Sequence, residues 1–369
     1  MVSEQDVRAA LVGVIDPEIR RSVVELDMVR AVAIDGGAVG VTIALTVAGC
    51  PMKAKLEQQV RTAVGGVDGV EAVSVSFDVM SPDERSALRS RLSGGAGSES
   101  KTLSIEPRTR VVAVASGKGG VGKSTLTANL AAALALGGAE VGVVDADIYG
   151  YSMPRMLGVS RRPVAVDQMM IPPVNHDLKV MSIGFFVDGD GAVPWRGPML
   201  HRALEQFLSD VHWGSLDYLV VDMPPGTGDI SISLGQLLPE PDLLIVTTPQ
   251  PAAQKVARRA ADVASKTGMR VAAIVENMSH LVCSCCGEIT RPFGEGGGRA
   301  LADELGVPLL GQVPLDEPLR LASDQGTPLV LASPEAASAQ AIRELATALP
   351  GVLRPRSGAE RIRKPLALR

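Results

Sequence analysis

The sequence predicts an α/β protein: a doubly wound, mostly parallel sheet built around a P-loop for nucleoside triphosphates, preceded by a small α+β domain. Three observations carry that prediction. From Arg110 onward, short apolar runs recur at 111–115, 141–144, 218–221, 243–246, 271–275 and 309–313. They lack polar alternation, as strands buried on both faces do. Helical stretches such as 124–136 and 253–266 separate several of them, the alternation of βαβ units. Between the first run and the first of these helices stand Gly117, Lys118, Gly119, Gly120, Val121, Gly122, Lys123 and Ser124. They satisfy G-x-x-x-x-G-K-[ST] in the strand–loop–helix setting that the motif requires.

Residues 1–92 form the small domain. Apolar spacing predicts a helix over 5–14, broken by Asp16-Pro17-Glu18. Strands at 31–34 and 39–45 flank the turn Asp35-Gly36-Gly37, a hairpin signal. A second helix is predicted over 52–64 and a third strand over 70–79. Glycine and serine then dominate 93–100, so 93–107 reads as a flexible linker. The sheet domain spans 108–352, with no internal repeat. A basic tail, 353–369, carries Arg354, Arg356, Arg361, Arg363, Lys364 and Arg369 and reads as solvated.

Composition bounds the rest. The 369 residues suit two domains. Apolar residues make up 46% but aromatics only 3%, so the core is built from Val, Leu, Ile and Ala. A net charge of −5, from 36 basic and 41 acidic residues, gives no global pull toward nucleic acid. No run of 18 apolar residues exists, so no membrane span is expected. The first residues (Glu4, Asp6, Arg8) are polar and lack a secretory apolar region. Three of the four cysteines crowd into Cys283, Cys285 and Cys286. That clustering points to intracellular thiol or metal chemistry and a cytoplasmic location.

The glycines of the loop let backbone N–H groups curve around phosphate oxygens without Cβ clashes. Lys123 is expected to reach the β- and γ-phosphates and the Ser124 hydroxyl to hold Mg²⁺. The helix N-terminus adds partial positive charge. Gly117-x-Gly119-x-x-Gly122 also fits the dinucleotide fingerprint, with Glu140 or Asp145 near the spacing of its acidic residue. Lys123-Ser124 directly after it favours a triphosphate. Asp145 and Asp147 end the second apolar run and Asp222 ends the third, at the strand edge that faces ligands in such sheets. A carboxylate at Asp222 suits Mg²⁺ held through water, and the Pro/Gly segment behind it, 223–229, suits a moving loop.

Lys118, directly after the first glycine, resembles the deviant P-loop ATPases: Min- and Par-type positioning proteins, the nitrogenase iron protein and the Mrp/ApbC iron–sulfur carriers. The chain is most similar to Mrp/ApbC. The matching stretches are 117–125, 145–150, 195–198, 222–229, 276–279, 283–287 and 293–297, together about 108–330. Residues 1–92, with Asp16-Pro17-Glu18 and 46–51, resemble the small domain often fused ahead of it and linked to iron–sulfur assembly. The resemblance implies that the loop and Thr125 bind ATP and that Lys118 reaches the phosphates held by a dimer partner. It implies that Asp147 orients the attacking water, that Asn277 contacts adenine, and that Cys283 and Cys286 ligate a cluster. The sequence departs from the family at Tyr151, where proline is usual, and at Cys285, an extra thiol inside the Cys-x-x-Cys.

Taken on spacing alone, Cys283 and Cys286 suit zinc or iron–sulfur binding. One pair supplies two ligands where a typical cluster takes four, and a two-fold axis brings two pairs together. The expectation is a homodimer sharing a 4Fe–4S cluster and passing it to apo acceptor proteins, with Mg²⁺ near Ser124, Asp145 and Asp222. A shared zinc uses the same four thiolates, and a redox disulfide lacks a thioredoxin-like surround. Cys50 reads either as core or as a reactive thiol. None of the four histidines forms a ligand pattern. A positioning ATPase of the Min or Par type is the other reading; it needs a membrane helix or a basic DNA face.

Overall fold

The computed structural model describes residues 2–46, 52–92, 104–148, 150–187, 197–226, 228–283 and 285–355. Cys50, most of the expected linker, Trp195, Arg196, Thr227, Ser284 and nearly all of the basic tail lie outside the described residues. The chain divides into two compact units.

In the first unit, helix α1 (Glu4–Leu11) starts at Ser3, whose hydroxyl accepts the Asp6 N–H while the Asp6 carboxylate accepts the Ser3 N–H. That capping box satisfies two otherwise orphaned donors. The Asp16 carboxylate accepts the N–H groups of Glu18 and Ile19 at 2.9 Å, which fixes the turn after the helix. Strands β1 (Val29–Asp35) and β2 (Ala38–Leu45) pair antiparallel. Two glycines join them, with Gly36 at φ +57°, where a side chain would be strained. Helix α2 (Lys53–Gly65) returns the chain to β3 (Ala72–Val79), parallel to β2, and α3 (Pro82–Leu92) follows. Leu56, Val60 and Val64 fall every fourth residue on α2, and Val39, Val41 and Ile43 alternate on β2. One face of each is thereby buried in a common core.

In the second unit, β4 (Arg110–Ser116), α4 (Lys123–Leu136), β5 (Val141–Asp145) and the short α5 (Met153–Met156) come first. The hairpin of β6 (Val164–Val166) and β7 (Met169–Ile171) clusters with the first unit. Then follow β8 (Val174–Asn175), β9 (Leu178–Ser182), α6 (Gly197–Ser209), β10 (Tyr218–Asp222), α7 (Asp229–Leu237), β11 (Asp242–Thr247), α8 (Pro251–Lys266) and β12 (Arg270–Asn277). A small hairpin, β13 (Leu281–Val282) and β14 (Ile289–Thr290), precedes α9 (Gly297–Leu305), β15 (Leu309–Val313), α10 (Glu317–Gln325), α11 (Leu329–Ala332) and α12 (Ala337–Ala348).

Eight strands form one sheet in the order β15-β12-β11-β4-β10-β5-β9-β8. All neighbours are parallel except β8 against β9. All six apolar runs read from the sequence are strands of this sheet. Strand β9 was not anticipated, because Lys179 interrupts its apolar run. The lysine is buried, with its ammonium donating to the Trp213 carbonyl. Helix α4 is buried nearly all round, the mark of a core helix. Among the described residues, no helix is long and apolar enough to cross a membrane.

Candidate nucleotide and thiol sites

The carboxyl ends of β4, β5, β10 and β12 converge on the loop between β4 and α4. Gly122 caps α4 at φ +80° and Gly120 sits at φ +79°, so both occupy the left-handed region that favours glycine. A Cβ on Gly117 would lie 2.2 Å from the Val256 carbonyl carbon, and one on Gly122 would lie 2.2 Å from the Asn277 amide nitrogen. The loop is therefore clamped on two sides, by α8 and by the end of β12. Gly119 and Gly120 have no heavy atom within 4 Å of such a Cβ, which leaves that stretch of backbone open to a ligand.

Lys123 is buried between acids. Its ammonium lies 2.8 Å from Asp222 and 3.6 Å from Asp147. Asp222, fully buried, also accepts the Ser124 hydroxyl at 2.6 Å and the Thr127 hydroxyl at 2.9 Å. Asp145 and Asp222 sit at the same register on neighbouring strands. Burial, reinforced by the Asp222 charge, pushes the Asp145 carboxyl up to about 7. One oxygen of Asp145 accepts the N–H groups of Ser152 and Met153 and the Ser182 hydroxyl, each at 3.0 Å. Asp145 thus anchors the segment that carries Asp147. Burial also raises the Asp147 carboxyl, against the pull of Lys123. The Asn277 amide donates to the Val121 carbonyl at 2.8 Å. Lys118 donates to Gln250 at 3.4 Å within the same chain.

The thiols occupy a different setting. Cys283 follows β13 directly; its N–H donates to the Glu288 carbonyl at 2.9 Å, and the Gly287 N–H returns to the Cys283 carbonyl at 2.8 Å. Gly287 takes φ +74° to close this turn. All three thiols are free; Cys283 is half-buried, Cys285 and Cys286 exposed. The backbone N–H groups of Cys286 and Cys285, turned toward the thiolate, hold the Cys283 thiol below its usual range. Leu281, Val282 and Ile289 stand exposed beside them. Among the described residues, no three His, Cys, Asp or Glu side chains are arranged to hold a metal ion.

A family model described as ParA: NUBPL iron-transfer P-loop NTPase matches residues 108–350. The chain belongs to this family. A second model, described as iron–sulfur cluster assembly protein, matches residues 4–77. An iron–sulfur cluster carrier protein of Mycobacterium tuberculosis (strain H37Rv) is 51% identical over 352 residues, covering 93% of this chain and 92% of the relative. Among solved structures, a nucleotide-binding protein from Archaeoglobus fulgidus in complex with ADP is 37% identical. It aligns over 62% of this chain and 89% of its own with a TM-score of 0.54. The septum site-determining protein MinD of Pyrococcus horikoshii with Mg-ADP is 25% identical, over 65% of this chain and 96% of its own, with a TM-score of 0.50.

The NTPase also uses residues that the sequence reading left without a role. Thr127 shares Asp222 with Lys123 and Ser124, one turn further along α4; its position four residues after Lys123 was the available signal. Ser182 bonds Asp145 from β9, the strand that was not anticipated. Gln250 reaches the phosphate loop, through Lys118, only in the tertiary fold. Tyr151 lies against Gly184, where an added Cβ would meet its ring at 2.5 Å.

Proposed function

We propose that this chain carries iron–sulfur clusters to apo acceptor proteins as a homodimer driven by ATP binding and hydrolysis. The observation that carries the proposal is an incomplete thiol site. Each chain presents free thiols on a hairpin that follows β12, the strand whose end bonds the phosphate loop, yet no complete metal-ligand group among its described residues. Cys283 and Cys286 from two chains together make the four thiolates that a 4Fe–4S cluster takes. The exposed Leu281, Val282 and Ile289 supply an apolar rim that a second copy would cover. Free thiols of this kind suit a reducing compartment such as the cytoplasm.

ATP is the nucleotide this loop fits. The backbone of Gly117–Thr125 cradles its phosphates, and Lys123 exchanges its carboxylate partners for phosphate oxygens. Lys118 is assigned to the partner's phosphates and Asn277 to the adenine side of the site. Asp147 positions the attacking water. The hydroxyl of Ser124 bonded to the Asp222 carboxylate is a hard oxygen donor pair that fits Mg²⁺. Ser124 would hold the ion directly and Asp222 through water, with Asp145 in support. When bound, the ion neutralises charge on the phosphates. In this reading, hydrolysis is slow and is coupled to cluster retention through the segment behind Asp222.

Anaerobic reconstitution with iron and sulfide tests the proposal. Wild type should gain visible cluster absorbance at one cluster per two chains, and Cys283→Ala/Cys286→Ala should gain none. Zinc bound without iron or acid-labile sulfide, or a protein that is monomeric in every nucleotide state, would refute it. Unchanged cluster transfer by Lys123→Ala would remove hydrolysis from the transfer step.

A further inference from the structure

Glu276 is a fully buried carboxylate at the end of β12 that hydrolysis, as described above, does not use. One of its oxygens accepts the Gly298 N–H at the start of α9, and the other accepts the Gln312 amide. Its neighbour Asn277 donates to the Val121 carbonyl in the phosphate loop. These two consecutive residues therefore bond to three things. These are the phosphate loop at Val121, strand β15 at Gln312, and Gly298, where the chain returns from the thiol hairpin that departs just after Asn277.

The departing side is short and pinned. Met278 takes φ +56°, unusual for a residue with a side chain. Ser279 donates to the Val313 carbonyl through both N–H and hydroxyl at 3.1 Å, and the Leu315 N–H donates to the His280 carbonyl at 2.7 Å. β13 and Cys283 follow at once. The returning side has a second link to the phosphate loop. A Cβ on Gly297 would lie 2.3 Å from the Gln254 amide nitrogen and 2.4 Å from the Pro249 carbonyl oxygen. The next residue, Gln250, accepts Lys118 at 3.4 Å and the Thr248 hydroxyl at 3.0 Å. The departing foot therefore starts beside a residue bonded to the phosphate loop, and the returning foot packs against the residue next to the one that bonds Lys118.

We propose that Glu276 and Asn277, with Gln250 on the returning side, are positioning residues through which phosphate-loop occupancy sets the reactivity of Cys283 and Cys286 in the same chain. The inference rests on the nucleotide reading above. A nucleotide on the chain's own loop shifts Val121, the acceptor of Asn277, while phosphate oxygens of the partner's nucleotide compete with Gln250 for the Lys118 ammonium. Side chains this tightly packed pass such shifts on, because they move between discrete arrangements.

The test is alkylation of the reduced, full-length protein by iodoacetamide, resolved by peptide mass spectrometry. It is run without nucleotide, with Mg·ADP and with a non-hydrolysable Mg·ATP analogue. Light scattering on the same samples records mass, and a fluorescent nucleotide records affinity. In wild type, nucleotide should change the Cys283 and Cys286 rates about fivefold or more, the lower end of ordinary coupling between sites. Glu276→Gln should bind nucleotide and associate as wild type does, yet lose most of that response. A full response in Glu276→Gln at equal mass overturns the proposal, as does an unresponsive wild type that binds nucleotide. A wild type that binds no nucleotide removes the ATP reading and this inference together. If Glu276→Gln does not fold, Gln312→Ala, at an exposed position, strips one of the two bonds from Glu276 and is read in the same way.

Discussion

The phosphate loop and the thiol hairpin push their titratable groups in opposite directions. Around the loop, burial raises Asp145 and Asp147, because a low-dielectric surround penalises the charged form. On the hairpin, backbone N–H groups lower Cys283, because they stabilise the thiolate. The loop is also closed within one chain: Lys123, Ser124 and Thr127 all bond Asp222. The hairpin is open, with two exposed thiols and few bonds beyond its own turn. One region is thus organised to hold charge before a ligand arrives. The other keeps ligand atoms available for something outside the chain.

The largest expected effect tests the closed half of that contrast. Lys123→Ala should lower ATP hydrolysis by about 10²-fold or more, the scale for losing one preorganised electrostatic group, as read by phosphate release. Iron loading of the thiols should persist; parallel loss of both would show that the two regions are not separable.

Gly122→Ala should cost about 1–3 kcal/mol of stability, the usual range for a side chain forced into the left-handed region. The new methyl also displaces the Asn277 amide, so nucleotide affinity should fall too. Denaturant unfolding and nucleotide titration check the two effects. A neutral outcome would mean that the loop is looser than its bonds imply.

The folded Asp145 carboxyl titrates near about 7, against 3.8 for an ordinary one. Between those values the folded chain holds a proton that the unfolded chain releases. The stability this proton brings is full below 3.8 and fades as pH rises through about 7. Nucleotide-free Asp145→Asn should show a flatter fall in stability across that window, measured by chemical denaturation. An unchanged slope would place the titration elsewhere.

The smallest effect belongs to the hairpin. Cys283 should react with iodoacetamide with a midpoint below the ~8.5 of a free cysteine thiol. A pH–rate profile resolved by peptide reads this directly, and a midpoint above that value would mean that the backbone N–H groups of the turn do not stabilise its thiolate.

The readings from sequence succeeded where local pattern and chemistry agree. The six apolar runs and the Gly/Lys/Ser loop lie on contiguous residues whose spacing alone reveals them. Thr127, Ser182, Gln250 and Glu276 escaped notice for the opposite reason: each acts on a residue brought to it by the fold. Lys179 hid a strand because its charge is satisfied by the carbonyl of Trp213, 34 residues away.

Residue order by itself determined the P-loop, the strand–helix alternation, the small leading domain and the clustered thiols, because each depends on neighbours within one turn or one strand. Only the tertiary structure decided that Asp145 and Asp222 stand level on adjacent strands, and that Asp145 spends its oxygens on the Asp147 segment. It also decided that the thiol hairpin leaves from a strand end bonded to the phosphate loop and returns onto Glu276 of that same strand. Those facts depend on sheet order and register, which long-range burial selects.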